Sequence, residues 1–182
     1  MITIIFESHS TTEDNEAKLA AGWYDVALSN LGKMQAKQLG ERYADQVFDA
    51  VFCSDLQRSY KTAQIAFGDK FPIVQDKRLR ECNYGDMNRR PKADVEAYRA
   101  QAITEPFPNG ESYEDTSKRM KVFLQNLLEN YDGKTVMIIG HRATQYGLEQ
   151  WIKGLGLKEA VLAPWQWQPG WKYELTPDLL PK

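Results

Sequence analysis

Only two histidines occur among the 182 residues, His9 and His141, and each stands just past an apolar run rich in β-branched residues. Residues 1–6 precede the first and residues 135–140 the second; both runs are too short for helices and are composed as buried strands are. Imidazole exchanges protons near neutrality, attacks as a nucleophile and ligates metals. In open α/β sheets ligands bind beyond the carboxyl ends of the strands, so two such strands side by side would bring both rings to one crevice. A third run, residues 50–53, leads into Ser54, Asp55, Leu56, Gln57 and Arg58, where Ser54 or Asp55 can cap a helix and Arg58 falls in its first turn. A helix start and a guanidinium fork together make a pocket for phosphate or carboxylate oxygens. A carboxylate comes from Glu81, set between Arg78 and Arg80 on one side and a turn at Tyr84 and Gly85 on the other. Two histidines and a glutamate are also a ligand set for zinc or iron. Compact spacing such as H-E-x-x-H is missing, however, and Arg58 on the same rim would repel a dication, so an anionic substrate is expected and no metal or cofactor.

The elements that must position these groups follow from the same strands. Helical spacing follows two of the runs: Leu56, Tyr60, Ala63 and Phe67 after residues 50–53, and Leu148, Trp151 and Ile152 after residues 135–140. Long helices are expected after Ser29 and over residues 112–131, where Tyr113, Thr116, Met120, Phe123, Leu124, Leu127 and Leu128 make one apolar stripe. Such alternation predicts an α/β fold, a three-layer sandwich with a mostly parallel central sheet and helices on both faces. The expected organisation is one domain over residues 1–182 with a small lid or cap insertion at 86–112, a polar stretch punctuated by Pro91, Pro106, Pro108 and Gly110. Residues 171–175 read as a closing strand, and the tryptophans gathered before and in it, Trp165, Trp167 and Trp171, as packing for that strand.

Composition narrows the partners. Lys and Arg number 23 against 25 Asp and Glu, a net charge of −2, so the overall basic field used in non-specific nucleic-acid binding is lacking. No apolar run approaches the length of a membrane span. Two cysteines, Cys53 and Cys82, are too few for a disulfide framework, and the first residues lack the pattern of a secretory signal, so a cytoplasmic location is expected.

Taken together these motifs resemble the histidine phosphatase superfamily, in its phosphoglycerate-mutase-like phosphatase branch. Members open with a strand ending in Arg-His-Gly, followed by Asn six residues after the His and a Gly-Trp-x-Asp-x-x-Leu stretch; here stand His9, Asn15, Gly22, Trp23, Asp25 and Leu28. Ser-Asp-Leu-x-Arg-x-x-x-Thr-Ala is matched by Ser54, Asp55, Leu56, Arg58, Thr62 and Ala63, and Arg-Leu-Arg-Glu-x-x-x-Gly by Arg78, Leu79, Arg80, Glu81 and Gly85. Gly110, Glu111, Ser112 and Arg119 resemble the family's Gly-Glu-Ser helix opening, and His141 its second catalytic histidine. The resemblance implies a phosphoric monoester hydrolase in which neutral His9 attacks phosphorus and forms a phosphohistidine. Arg58, Asn15 and His141 would hold the phosphoryl oxygens, and Glu81 would protonate the leaving oxygen and then activate water. The implied substrate is a small-molecule phosphomonoester; the sequence does not distinguish a monomer from a homodimer.

The sequence departs from that pattern at Ser8, which stands where the family has Arg, and at Ser10, where it has Gly. A charge-assisted phosphate contact contributes on the order of 1.5–3 kcal/mol. Arg142, directly after His141, is the candidate substitute, and Ser10 a candidate hydroxyl donor to the pocket. Glu13, Asp14 and Glu16 would, if they faced the entrance, favour monoesters whose remainder is neutral or cationic. Only 59 residues separate Glu81 from His141, a shorter insertion than in the dedicated mutases of the family, which favours a phosphatase over a phosphoglycerate mutase. Two other readings remain: a catalytically weak or inactive relative that binds a phosphorylated ligand or a protein partner, and a metal hydrolase built on His9, His141 and Glu81.

Overall fold

Alternation along the apolar runs decides the layering. The computed structural model describes residues 1–180; Pro181 and Lys182, the end of the expected 1–182 span, lie outside the described residues. In chain order the first half forms β1 (Ile2–Ser8), α1 (Glu13–Glu16), β2 (Leu19–Ala20), α2 (Asn30–Arg42), β3 (Ala50–Cys53), α3 (Gln57–Phe67) and β4 (Ile73–Gln75). The second half forms β5 (Arg90–Pro91), α4 (Lys92–Tyr98), α5 (Tyr113–Asn130), β6 (Thr135–Gly140), α6 (Arg142–Lys153), α7 (Leu157–Leu162) and β7 (Trp171–Leu175). The main sheet has the order β4-β3-β6-β1-β7; its first four strands are parallel, and the closing strand β7 runs antiparallel to β1.

Successive residues of a strand point to opposite faces. Ile2, Ile4 and Phe6 of β1, Ala50 and Phe52 of β3, and Val136 and Ile138 of β6 therefore meet Met120, Phe123, Leu124 and Leu127 of α5 and Leu148 of α6 on one face. Val51, Cys53, Met137 and Ile139 meet Leu39 of α2 and Ala63 and Phe67 of α3 on the other. Burying such a side chain contributes about 1.5–3 kcal/mol. The three-layer α/β sandwich expected from the sequence is the fold observed. Tight contact fixes the layer of α2 and α3: at Gly40 an added Cβ would collide with the carbonyl of Ala66.

Helix starts are specified locally. Ser29 Oγ accepts from Gly32 N at 3.1 Å at the start of α2. Ser112 Oγ accepts from Asp115 N at 3.1 Å at the start of α5, while the Asp115 carboxylate accepts from Ser112 N, a reciprocal capping box. Segment 86–112 contains β5, which pairs with β2, and α4; its Val95, Ala102, Ile103 and Phe107 pack with Tyr113, Tyr146 and Val161 in a third apolar cluster. Among the described residues no helix is long and apolar enough to cross a membrane. Cys53 and Cys82 are both buried free thiols.

Candidate active site

Strand register places the two histidines. Ser8 of β1 pairs with Gly140 of β6, so the next residue of each strand is His9 and His141, and His9 N donates to the Gly140 carbonyl at 3.0 Å. Their rings lie 5.0 Å apart. After β1 the chain leaves toward the face of α2 and α3, and after β6 toward the face of α5 and α6, so a crevice opens between adjacent strand ends. It widens into a cavity of about 680 Å³ whose walls include His9, Ser10, Asn15, Arg58, Glu81 and His141.

The tautomer of His9 follows from its neighbour. Nδ1 lies 2.8 Å from the Ser10 carbonyl, which can only accept, so Nδ1 carries the proton and Nε2 the lone pair. Burial, with the Arg58 guanidinium adding to it and the Ser10 carbonyl opposing, pushes the His9 pKa down to about 3. His141 is likewise held well below the usual imidazole range, by burial first and then by Arg58, His9 and Arg119. Its Nε2 shares a hydrogen bond of 2.7 Å with Ser54 Oγ. Both rings are therefore neutral at pH 7.

Arg58 is a buried cation, 2% exposed. Its guanidinium donates to the Gly22 carbonyl at 2.6 Å and the Tyr24 carbonyl at 3.1 Å, and among the described residues no carboxylate lies in ion-pair range. Burial lowers its pKa from the ordinary value, with Glu81 the largest opposing charge. A guanidinium desolvated in this way, with neutral acceptors only, is set to receive an anion. Gly22 takes a φ of +56°, and a Cβ there would strike the side chain of Asn88, so this acceptor position requires glycine.

The helix start beside Arg58 differs from the expectation. Neither Ser54 nor Asp55 caps α3: Ser54 Oγ is engaged by His141 and Asp55 by Arg80, at 2.6 and 2.7 Å in a bidentate pair. The cap comes from Asp25, whose Oδ1 accepts from Gln57 N at 2.8 Å. A distant loop thus satisfies the orphan N–H, which local spacing in the sequence does not reveal.

Glu81 is buried and belongs to neither flanking arginine, since Arg78 pairs with Asp76 and Arg80 with Asp55. Its carboxylate accepts from Cys82 N at 2.7 Å and from Arg142 N and Ala143 N, both at 3.2 Å, which orients it on the N-terminus of α6. The Glu81 carbonyl accepts from Trp23 Nε1 at 2.7 Å and from Arg119 of α5 at 2.8 Å. Arg119 also holds the Arg80 carbonyl and pairs with Glu111, so the Gly-Glu-Ser opening and Arg119 anchor the Glu81 loop.

The remaining candidates are spread around the rim. Ser10 is buried, with its N–H on Thr62 Oγ1 at 3.1 Å. Asn15 borders the cavity, but its Oδ1 accepts from Thr12 N in the capping box of α1. Arg142 lines the cavity with its side chain laid along α6, donating to Tyr146 Oη at 2.9 Å and resting 5.0 Å from the Trp165 ring. The acidic cluster does not face the entrance: Glu13, Asp14 and Glu16 are absent from the cavity walls, and Asp14 is buried against Arg89 at 3.2 Å. The tryptophans also depart from expectation. Trp171 packs on Phe6, whereas Trp165 and Trp167 are exposed walls of the cavity. Among the described residues, no three His, Cys, Asp or Glu side chains gather as metal ligands.

A parallel three-layer sandwich with two imidazoles at the carboxyl ends of its adjacent central strands is phosphoglycerate-mutase-like in class. The chain belongs to the histidine phosphatase superfamily (branch 1), whose sequence model matches residues 4–166. It is 34% identical over 154 residues, 78% of this chain and 72% of the relative, to a 2,3-bisphosphoglycerate-dependent phosphoglycerate mutase of Cytophaga hutchinsonii. It is 28% identical over 160 residues, 82% of this chain and 78% of the relative, to putative phosphoserine phosphatase 2 of Hydrogenobacter thermophilus. Among solved structures, Bacillus stearothermophilus YhfR superposes with a TM-score of 0.85 at 25% identity, covering 97% of this chain and 93% of that one.

Proposed function

We propose that the protein is a metal-independent phosphomonoesterase that acts through a phosphohistidine at His9 on a small phosphorylated metabolite. One observation carries the reading: the His9 ring, neutral and with its Nε2 lone pair free, shares the cavity with a buried guanidinium that has no carboxylate in ion-pair range among the described residues. Nε2 attacks phosphorus, a P–N bond forms and the ester P–O bond breaks, and Glu81 delivers a proton to the departing oxygen. Water then attacks the phosphohistidine as Glu81 takes its proton; the P–N bond breaks, phosphate leaves and His9 is restored. Arg58, Ser10, Asn15, His141 and Arg142 hold the non-bridging oxygens through the transition state. Segment 86–112 acts as the lid, through Lys92, Val95 and Arg99 on the cavity wall. Its brevity supports hydrolysis over mutase transfer, because no enclosed second acceptor competes with water.

The second reading, a phosphate-binding relative with little turnover, is favoured by Ser8 in the position of the family's arginine. Hydrolysis of 4-nitrophenyl phosphate in excess chelator, with His9→Ala beside it, separates the readings. Chelator-resistant turnover that His9→Ala abolishes supports the phosphohistidine route. Chelator-sensitive turnover points to a metal, and phosphate binding without turnover to the binding protein.

A further inference from the structure

The phosphate end accounts for only part of the cavity. About 680 Å³ is a volume that encloses drug-sized ligands, far more than a phosphoryl group fills. Beyond the strand tips the walls also include Trp165 and Trp167, on the loop between α7 and β7, and Gln35, Gln38 and Leu39 of α2. Both indoles are solvent-exposed, 39% and 52%, yet neither is loose. Trp165 stacks on Trp171 with ring centroids 6.2 Å apart and donates from Nε1 to Gln145 Oε1 at 2.9 Å. Trp167 lies 5.5 Å from the Arg42 guanidinium, which is itself fixed by the buried Glu7 at 2.8 Å. Anchored aromatic surface left in water at the wall of a cavity is surface that a ligand can cover.

The charges disfavour a cation. Arg42 and Arg142 already sit on the two indoles, at 5.5 and 5.0 Å, and satisfy their attraction for cations. Of the three carboxylates on the wall among the described residues, Glu7 is paired with Arg42, Glu96 with Arg99, and Glu81 is turned onto backbone N–H groups. A cationic remainder thus meets repulsion, opposite to what the acidic cluster suggested, and a flat ring without positive charge meets the exposed parts of the two indoles and the carboxamides of Gln35 and Gln38.

We propose that Trp165 and Trp167 form a leaving-group subsite that selects phosphomonoesters whose leaving group is a planar aromatic or heteroaromatic ring without positive charge. This rests on the phosphomonoesterase reading above, and the test is chosen to separate the two. Calorimetric titration with benzylphosphonate, cyclohexylmethylphosphonate and methylphosphonate reads binding without turnover; the first two differ in the planarity of a six-carbon ring. The intact protein binds the benzyl compound about two- to tenfold more tightly than the cyclohexyl one, the range of an aromatic stacking contact. In Trp165→Leu/Trp167→Leu that preference disappears while methylphosphonate affinity stays within about twofold. Equal affinity for both rings in the intact protein, or a preference that survives the double substitution, overturns the subsite alone. Failure of all three compounds to bind overturns the phosphate pocket and the subsite with it. Trp167→Leu, at a ring outside the core, gives the same readout if the double variant does not fold.

Discussion

His9 and His141 stand with ring centroids 5.0 Å apart and planes inclined at 53°, each on the residue after a register pair of neighbouring parallel strands. Buried side by side with Arg58, neither ring accepts a proton easily, and a proton on one would raise the cost of a proton on the other.

The first expectation concerns pH. With its pKa pushed down to about 3, His9 stays neutral through pH 5, and in a histidine-resolved NMR titration its ring signals should not move between pH 8 and 5. Between about pH 6.5 and 3 the unfolded chain binds a proton at His9 that the folded chain refuses, so stability falls as pH is lowered through that window. Each such histidine contributes at most about 1.4 kcal/mol per pH unit. Urea midpoints for His9→Gln should decline less steeply than those of the parent between pH 6.5 and 4.5; parallel curves would contradict the assignment.

Arg58 should couple stability to anions. Inorganic phosphate at about a hundred times its dissociation constant stabilises by about 2.7 kcal/mol, visible as a rise in melting temperature. In Arg58→Met that rise should vanish and kcat/KM should drop by about two to three orders of magnitude. A phosphate-dependent shift that persists in the variant would place the anion elsewhere.

Glu81→Gln keeps an oxygen to accept from the N-terminus of α6 but cannot carry a proton. Turnover of an alkyl phosphate, whose leaving oxygen needs protonation, should fall about 10²–10⁴-fold. With 4-nitrophenyl phosphate, a good leaving group, the loss in the first step should be much smaller. Equal losses in the first step on both substrates would remove Glu81 from the role of acid.

Arg142→Ala examines the proposed replacement for the missing arginine. The guanidinium lines the cavity, and among the described residues no carboxylate lies in ion-pair range of it. Its removal should lower kcat/KM about tenfold to a hundredfold, as loss of a charge-assisted contact does, whereas Lys37→Ala on the exposed side of α2 should be silent. Matching activities would show that Arg142 serves Tyr146 and Trp165 only.

Much of this was legible in the chain itself. Strand runs before His9 and His141, the α5 stripe from Tyr113 to Leu127 and the ordered family motifs are local signals, and local periodicity carries them into the fold. What escaped was decided by groups far apart in sequence. Asp25 caps α3 from another loop, Glu7 and Arg42 pair between β1 and α2, and Trp165 and Trp167 turn outward where apolar composition alone suggests packing. A tryptophan in a sequence reports size and polarity but not which wall it will face, and a carboxylate does not declare whether it caps, pairs or repels until the loops are placed.

The two ends of the cavity are secured in different ways. The imidazoles inherit their separation from the pairing of Ser8 with Gly140; slipping that pairing by one residue would turn either Ile4 and Phe6 of β1 or Val136 and Ile138 of β6 toward the opposite layer. Misplacing the reactive groups would therefore mean undoing the hydrophobic interior, while the loop bearing Trp165 and Trp167 lies outside the strands and can be rewritten without disturbing them. On the proposed mechanism, descendants of this chain are free to exchange one ester for another long before they can abandon the attack on phosphorus.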